Sequence, residues 1–588
     1  MLLLMYKNIT FLITFLIVIQ SITLFSQPSD DERKEFRSPV DIDIKLSGNF
    51  GELRGSHFHT GIDIKTKGTI GHNIYAIADG YVSRIKVSPV GYGNALYIRH
   101  DNGYTSVYGH LDRFNIQIEQ YVITEQYLIK KFAVNLYPEA NEIRVKKGDV
   151  IGLSGNSGGS MGPHLHFEIR DTKSEKPLNP LFWDMGIPDN IPPRFHKLIL
   201  NPLSDKALIN GKHERAIFDL ERNQSVYFVK DKSVISVSDT IGVLAYVNDY
   251  LNNTYNRCGV FELKMLVDGE LYYYLKMDDL SFAENRYIMS HIDYGLKIDT
   301  KIKAHKCYVD EGNHFGAYQF VKKDGRLFLK PGQRKNVKII ATDVNENKAE
   351  LSFTLLGVPS NIEVPKREYA QVLIPGKVNY FESDGIKIKF PGNSIFRKVY
   401  FQYSKDSTMP KLYSDIYNIH NIREPLHKRY SLSIKANDIP YQYYDKIYLA
   451  SVNKDNEISN AASNVKLEDG WINARIRSFG SFAVALDTIR PEITALNISE
   501  NKDMSGESRI AFKITDEETG IDKYNGYING QWVLFQYDAK NDLIYYEFDD
   551  YMPKANDYVL KLIVTDNKNN TAVKTISFTM SEMQSNRN

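Results

Sequence analysis

Three short segments, far apart in the chain, have to meet for their side chains to be of any use. They are His59-Thr60-Gly61-Ile62-Asp63, Tyr108-Gly109-His110-Leu111 and Gly162-Pro163-His164-Leu165-His166-Phe167. Together they supply one carboxylate and four imidazoles, the donor types that zinc favours. Neither donor needs redox control, so such a site works outside the cell as well as inside. Three protein donors would leave a fourth position for water, the feature that separates catalytic from structural zinc.

Local pattern supports convergence. From His164 to Ile169 the chain alternates, with His164, His166 and Glu168 on one face and Leu165, Phe167 and Ile169 on the other. On a strand, side chains two apart share a face, so both histidines can look into one cleft. His59 and Asp63 also share a face if extended. A helix would do the same, but Gly61, the β-branched Thr60 and Ile62, and alternation through Ile64 predict a strand. Asn94 to His100 and Tyr104 to His110 flank Asp101-Asn102-Gly103, and Asn-Gly is a strong two-residue hairpin signal. That hairpin would deliver His110 to a strand end.

These residues, with Gly51-Glu52-Leu53-Arg54, Ala78-Asp79-Gly80-Tyr81-Val82, Tyr92-Gly93-Asn94 and Lys147-Gly148-Asp149-Val150-Ile151-Gly152, resemble the lysostaphin/LytM-type zinc metallopeptidases. That family cuts peptide cross-bridges in bacterial peptidoglycan. The likeness runs from Asn49 to Asp171. It implies an antiparallel β domain of the duplicated hybrid type, with zinc held by His59, Asp63 and His166. It also implies that His110 and His164 act on the reacting centre. Zinc would lower the pKa of a bound water to about 7 and polarise the scissile carbonyl. The two histidines would move the proton, stabilise the oxyanion or protonate the leaving amine, and their division of labour stays open.

Neighbouring residues carry competing readings. His57 shares the face of His59 but lacks the spacing to Asp63. His100 sits at the hairpin turn, where a structural hydrogen bond suits it better. Glu168 either supports the site from behind or is simply exposed, and Arg54 binds a substrate carboxylate or pairs with Glu52. The segment Arg113 to Arg144 lengthens the family pattern. Ile118, Val122, Ile129 and Phe132 recur in it at roughly helical spacing, predicting a helical wall beside the groove.

The rest of the chain reads as mainly all-β. At 588 residues it has room for about three to five domains, and 39 tyrosines with recurring valine, isoleucine and threonine favour strands. A net charge of +1 gives no support to a nucleic-acid surface. Asp189-Asn190-Ile191-Pro192-Pro193 recurs as Asp487-Thr488-Ile489-Arg490-Pro491. Asp249, Cys258-Gly259-Val260 and Val267-Asp268-Gly269 recur as Asp516, Thr519-Gly520-Ile521 and Ile528-Asn529-Gly530. Ala341-Thr342-Asp343 recurs as Val564-Thr565-Asp566. Each copy resembles an immunoglobulin-like β-sandwich.

The expected division is a signal peptide over 1–26, a peptidase domain over 27–188 and a first immunoglobulin-like module over 189–360. A β domain of unassigned type over 361–486 and a second immunoglobulin-like module over 487–588 follow. Lys7 and the apolar run Ile9 to Ile19 make a short export signal, with cleavage after Ser26 or, alternatively, a retained anchor. No later stretch is apolar enough to span a membrane, so the mature chain is expected to have no transmembrane domain and to act in the periplasm, or secreted or at the cell surface. Cys258 and Cys307 are the only cysteines; they either bridge or stay as buried thiols. Three functions fit these features. They are a zinc endopeptidase acting on peptidoglycan peptides, a non-catalytic relative that binds the wall and activates another hydrolase, and an adhesin-like protein. The C-terminal β modules would serve as spacers or bind an envelope partner.

Overall fold

The computed structural model describes residues 28–231, 234–364 and 366–580; the expected signal peptide lies outside them. The chain is built of antiparallel sheets almost throughout. In the first domain the strands are β1 (Leu46–Gly48), β2 (Ile62–Lys65), β3 (Asn73–Tyr75), β4 (Gly80–Val87), β5 (Asn94–His100) and β6 (Tyr104–Phe114). After helix α1 (Ile116–Ile129) come β7 (Val134–Leu136), β8 (Arg144–Val145), β9 (Val150–Ser154), β10 (His164–Asp171) and β11 (Pro177–Leu178). The main path runs β1-β2-β10-β6-β5-β4-β7, with β11 on β10, β8 on β4, and β9 joining β3 to β6.

The alternation in β10 decides this arrangement. Leu165, Phe167 and Ile169 are fully buried on one face, contributing about 1.5–3 kcal/mol each, and the opposite face is left to His164, His166 and Glu168. β10 lies between β2 and β6, in a register that sets His166 opposite both Asp63 and Gly109. A one-residue slip would turn the histidines into the apolar core and the apolar set onto the cleft face.

Two local expectations need correction. His59 lies outside the strand, which begins at Ile62. The chain bends at Gly61, where β10 passes so close that a Cβ would stand 2.3 Å from the Phe167 carbonyl oxygen and only glycine fits. His110 does not end its strand either: β6 continues to Phe114. His110 itself adopts a left-handed φ of 60°, costing about 1–3 kcal/mol for such a residue. The β5–β6 hairpin forms, with the three-residue loop Asp101 to Gly103 between paired strands and Gly103 at φ 88°, rather than a two-residue turn.

The predicted helix is α1. Asn115 caps it by accepting the Ile118 N–H at 3.0 Å, and it ends at Lys130 in the left-handed region. Ile118 and Val122 enter the core. Outwardly, Tyr127 stacks on Tyr551 at 3.8 Å between ring centres and donates its hydroxyl to Asp549. The helix therefore meets the last β module, which also reaches the first domain through Lys540 and the Asn156 and Ser160 carbonyls.

Beyond the first domain, strands between Arg194 and Gly357 join into one thirteen-stranded network around Val234–Asn248. Its buried side chains are continuous with those of the first domain; Phe58 stacks on Phe315 at 4.4 Å. Two five-stranded sheets between Asn379 and Leu486, then a four- and a five-stranded sheet between Glu492 and Thr579, enclose separate cores. Cys258 and Cys307 are free and buried. Among the described residues, no helix is long and apolar enough to cross a membrane.

Candidate active site

His59, Asp63 and His166 each present one donor atom, and the three atoms lie within 4.8 Å of one another. His59 Nε2 and His166 Nδ1 are 3.0 Å apart, and both approach Asp63 Oδ1, at 3.1 and 3.0 Å. All three residues are buried.

Each imidazole has its other nitrogen engaged, and this fixes which nitrogen faces inward. His59 Nδ1–H donates to the Asn49 carbonyl at 2.8 Å. His166 Nε2 meets Glu168 Oε1 at 2.9 Å. Asp63 Oδ2 accepts from Arg54 at 2.6 Å, leaving Oδ1 for the shared point. Two imidazoles and a carboxylate turned inward by such outer contacts are a fit for zinc.

His110 and His164 stand beside this trio, 4.8 Å apart between ring centres. His110 Nδ1–H donates to the Ser157 carbonyl at 2.9 Å, and His164 Nδ1–H to the Gly162 carbonyl at 2.8 Å. In the neutral rings Nε2 is then the proton acceptor, and His164 Nε2 lies 3.5 Å from Asp63 Oδ1. All five residues line one cleft of about 950 Å³.

The electrostatics divide these groups. Burial opposes a charged His166, but the hydrogen bonds it donates to Asp63 and Glu168 outweigh it and carry the imidazole up to about 9. Burial also opposes the Asp63 carboxylate, yet His59, His164 and His166 hold it well below its usual range. Burial, then the nearby His166 and His164, push His110 down to about 3. Its ring is neutral at pH 7.

Glu168 is fully buried and is the hub behind the site. It accepts from Thr60 Oγ1 at 2.6 Å, from the Tyr92 hydroxyl at 2.5 Å and from Arg170 Nε at 2.7 Å, as well as pairing with His166. Arg54 pairs with Glu52 at 3.1 Å and also with Asp63. His57 is exposed at the cleft rim, outside the donor trio. His100 is buried and hydrogen-bonded to the Asp79 carbonyl and Ser106. None of the cleft-lining residues comes from Arg113 to Arg144, so the predicted wall is not there.

Some contributors escaped the pattern reading. Tyr92 stacks on His166 at 4.8 Å; the sequence marks it only as part of the Tyr92-Gly93-Asn94 motif, with no sign of a partner for His166. Asn49, Thr60 and Arg170 act through hydrogen bonds that no spacing announces. Phe282 and Asn285 reach the cleft from the second β region, and Asn285 accepts the Phe58 N–H.

Residues 57–131 and 134–180 match peptidase family M23, and residues 370–487 match the Zu5-like domain. The DD-carboxypeptidase/endopeptidase Mpg of Neisseria meningitidis serogroup B is 35% identical over 150 residues, 25% of this chain. Peptidoglycan DD-endopeptidase ShyA of Vibrio cholerae is 29% identical over 175 residues, 29% of this chain. The chain spans 28% of the length of Mpg and 34% of that of ShyA. Among solved structures, the catalytic domain of the prophage-encoded M23 protein EnpA from Enterococcus faecalis is 26% identical; the match covers 25% of this chain and 95% of that one, with a TM-score of 0.18. The segment that builds the cleft is a peptidase domain of family M23.

Proposed function

We propose that the chain is an exported zinc metalloendopeptidase that hydrolyses peptide cross-bridges of bacterial peptidoglycan, working in the cell envelope and most simply in the periplasm. The observation that carries this reading is the convergence of His59, Asp63 and His166 on one point, with His110 and His164 facing the same cleft. That both extra histidines are in place favours catalysis over a wall-binding regulator.

In this reading His59, Asp63 and His166 hold zinc, which would supply Lewis acidity and acidify a water. Arg54 neutralises the outer oxygen of Asp63, while Asn49 and Glu168 hold the two imidazoles in their binding tautomers. One of the pair His110 and His164 accepts the proton of the attacking water at Nε2 and returns it to the leaving amine. Once protonated, either Nε2–H can donate to a developing oxyanion. The β modules after residue 189, including two of immunoglobulin-like type, position the cleft and offer surface to an envelope partner.

The test is zinc content together with cleavage of purified peptidoglycan. One equivalent of zinc and chelator-sensitive release of cross-link products support the proposal. Less than about half an equivalent, for a site that needs all three donors, with no chelator-sensitive cleavage would remove it.

A further inference from the structure

The internal repeat places three aspartates at matching points of its two copies, and the fold gathers each set. Asp189, Asp249 and Asp343 form one cluster and Asp487, Asp516 and Asp566 the other; within each, carboxylate oxygens lie within 4.8 Å of one another. The scaffolding is the same in both. Asp343 accepts from the Asn347 backbone at 2.9 Å and side chain at 2.8 Å, and Asp566 accepts from Asn570 at the same two distances. Each asparagine also reaches the backbone carbonyl of the first aspartate, Asp189 at 3.4 Å or Asp487 at 3.0 Å.

The clusters differ in what balances their charge. In the second copy Asp516 accepts two backbone N–H groups, from Thr519 at 2.9 Å and Gly520 at 2.7 Å. The Thr519 hydroxyl donates to Asp487, and the buried Lys568, whose ammonium donates to the Ser463 carbonyl, acts on Asp487 and Asp566 through its charge, while Glu518 adds a further carboxylate beside Asp487. In the first copy Cys258 stands where Thr519 would be, and Asn345 stands where Lys568 would be. Neither supplies a hydroxyl or a positive charge. None of Asp189, Asp249 and Asp343 forms an ion pair among the described residues. Asp249 is 3% exposed, and its Oδ1 is buried with no hydrogen-bond partner. Burial, then Asp343 and Asp189, push this carboxyl well up, and an unpaired buried carboxylate is costly.

The donors are all oxygen, and they line a cleft of about 470 Å³ together with Asn345, Arg33 and Lys34. Hard divalent cations suit such a set; calcium takes six to eight oxygens in flexible geometry, whereas magnesium demands near-ideal octahedral placement. We propose that Asp189, Asp249 and Asp343 form a calcium site at the junction of the peptidase domain and the first β module, and that the second cluster replaces the cation with Thr519 and Lys568. The site lies close behind the active centre. The Asp249 backbone pairs with Cys258, the next residue Gly259 exchanges hydrogen bonds of 2.8 and 2.6 Å with the Asn49 side chain, and the Asn49 carbonyl holds His59.

The test uses the full chain freed of divalent ions on a chelating resin and reloaded with one equivalent of zinc. CaCl2 is titrated by calorimetry and thermal unfolding is followed, with MgCl2 and NaCl at equal ionic strength as controls. One calcium per chain is expected, with a Kd of about 10⁻⁴–10⁻³ M, as in extracellular modules. About a hundredfold above the Kd, the melting temperature should rise by about 5 °C. Asp249→Asn should abolish both responses without lowering the ion-free melting temperature, and Asp516→Asn should leave them intact. Asp189→Asn serves if the Asp249 variant does not fold. The proposal is overturned if calcium shifts the melting temperature no more than the control salts do, or if its effect survives in Asp249→Asn and Asp189→Asn. Zinc content, measured in parallel, separates such a failure from one of the peptidase site.

Discussion

Replacing Glu168 with glutamine should separate the support of the metal ligand from the stability of the buried ion pair. Every polar contact of Glu168 described above comes from a donor: Thr60, Tyr92, His166 and Arg170. A glutamine keeps one accepting oxygen and turns an NH2 toward the others, so at least one donor is left facing another. Arg170 is 8% exposed and would lose its anionic partner; removing one member of a buried pair costs about 3–5 kcal/mol. Loss of the contact behind a ligating imidazole weakens metal binding by about 10–100-fold.

The two effects separate in the double variant Glu168→Gln/Arg170→Met, which removes the stranded charge. Stability, from urea unfolding of the zinc-free protein, should recover most of the loss. Zinc affinity, from competition with a chromophoric chelator, should stay reduced. The reasoning fails if Glu168→Gln binds zinc like wild type. It also fails if the double variant regains affinity along with stability, because Glu168 would then act only by neutralising Arg170.

Alanine at His110 or His164 should leave zinc bound and lower turnover by about 10²–10⁴-fold, with the double variant falling less than the product of the singles; full activity in His110→Ala would remove that residue from the mechanism. Zinc affinity should climb with pH. The proton on zinc-free His166, held up to about 9, must leave before zinc binds, so affinity rises about tenfold per unit toward pH 9 and then levels, and a flat profile between pH 7 and 9 would contradict this. The same raised pKa stabilises the zinc-free fold below about pH 6.5, and that contribution fades as pH passes about 9. Tyr127→Ala removes the ring stacked on Tyr551 and its hydrogen bond to Asp549, so limited proteolysis should cut between the β modules sooner; unchanged digestion would show that the contact does not hold the last module.

The histidines of β10 were readable from sequence because a period of two admits one assignment of faces once Leu165, Phe167 and Ile169 claim the core. His59 and Asp63 were readable as a pair, although the need for glycine at 61 was hidden: it comes from the backbone of β10 at Phe167, more than a hundred residues away. The hub around Glu168 was not readable. Alternation put Glu168 on the cleft face, but its burial depends on Tyr92 and Arg170 closing over it, which follows from packing. Helix α1 was visible in its spacing, while its partner Tyr551 lies in another module. The aspartate repeats were visible as matching letters; only the fold shows that each set converges.

The central claim is that this cleft cuts peptide cross-links with the five gathered side chains. Mass spectrometry of muropeptides, after digestion by the zinc-loaded full chain and by its His166→Ala variant, tests it most directly. The account predicts that cross-linked dimers disappear, with matching gain of monomers, in the wild-type digest alone, and that a chelator stops the conversion. Dimers left intact by a protein that carries a full equivalent of zinc, or conversion that persists in His166→Ala, would contradict it.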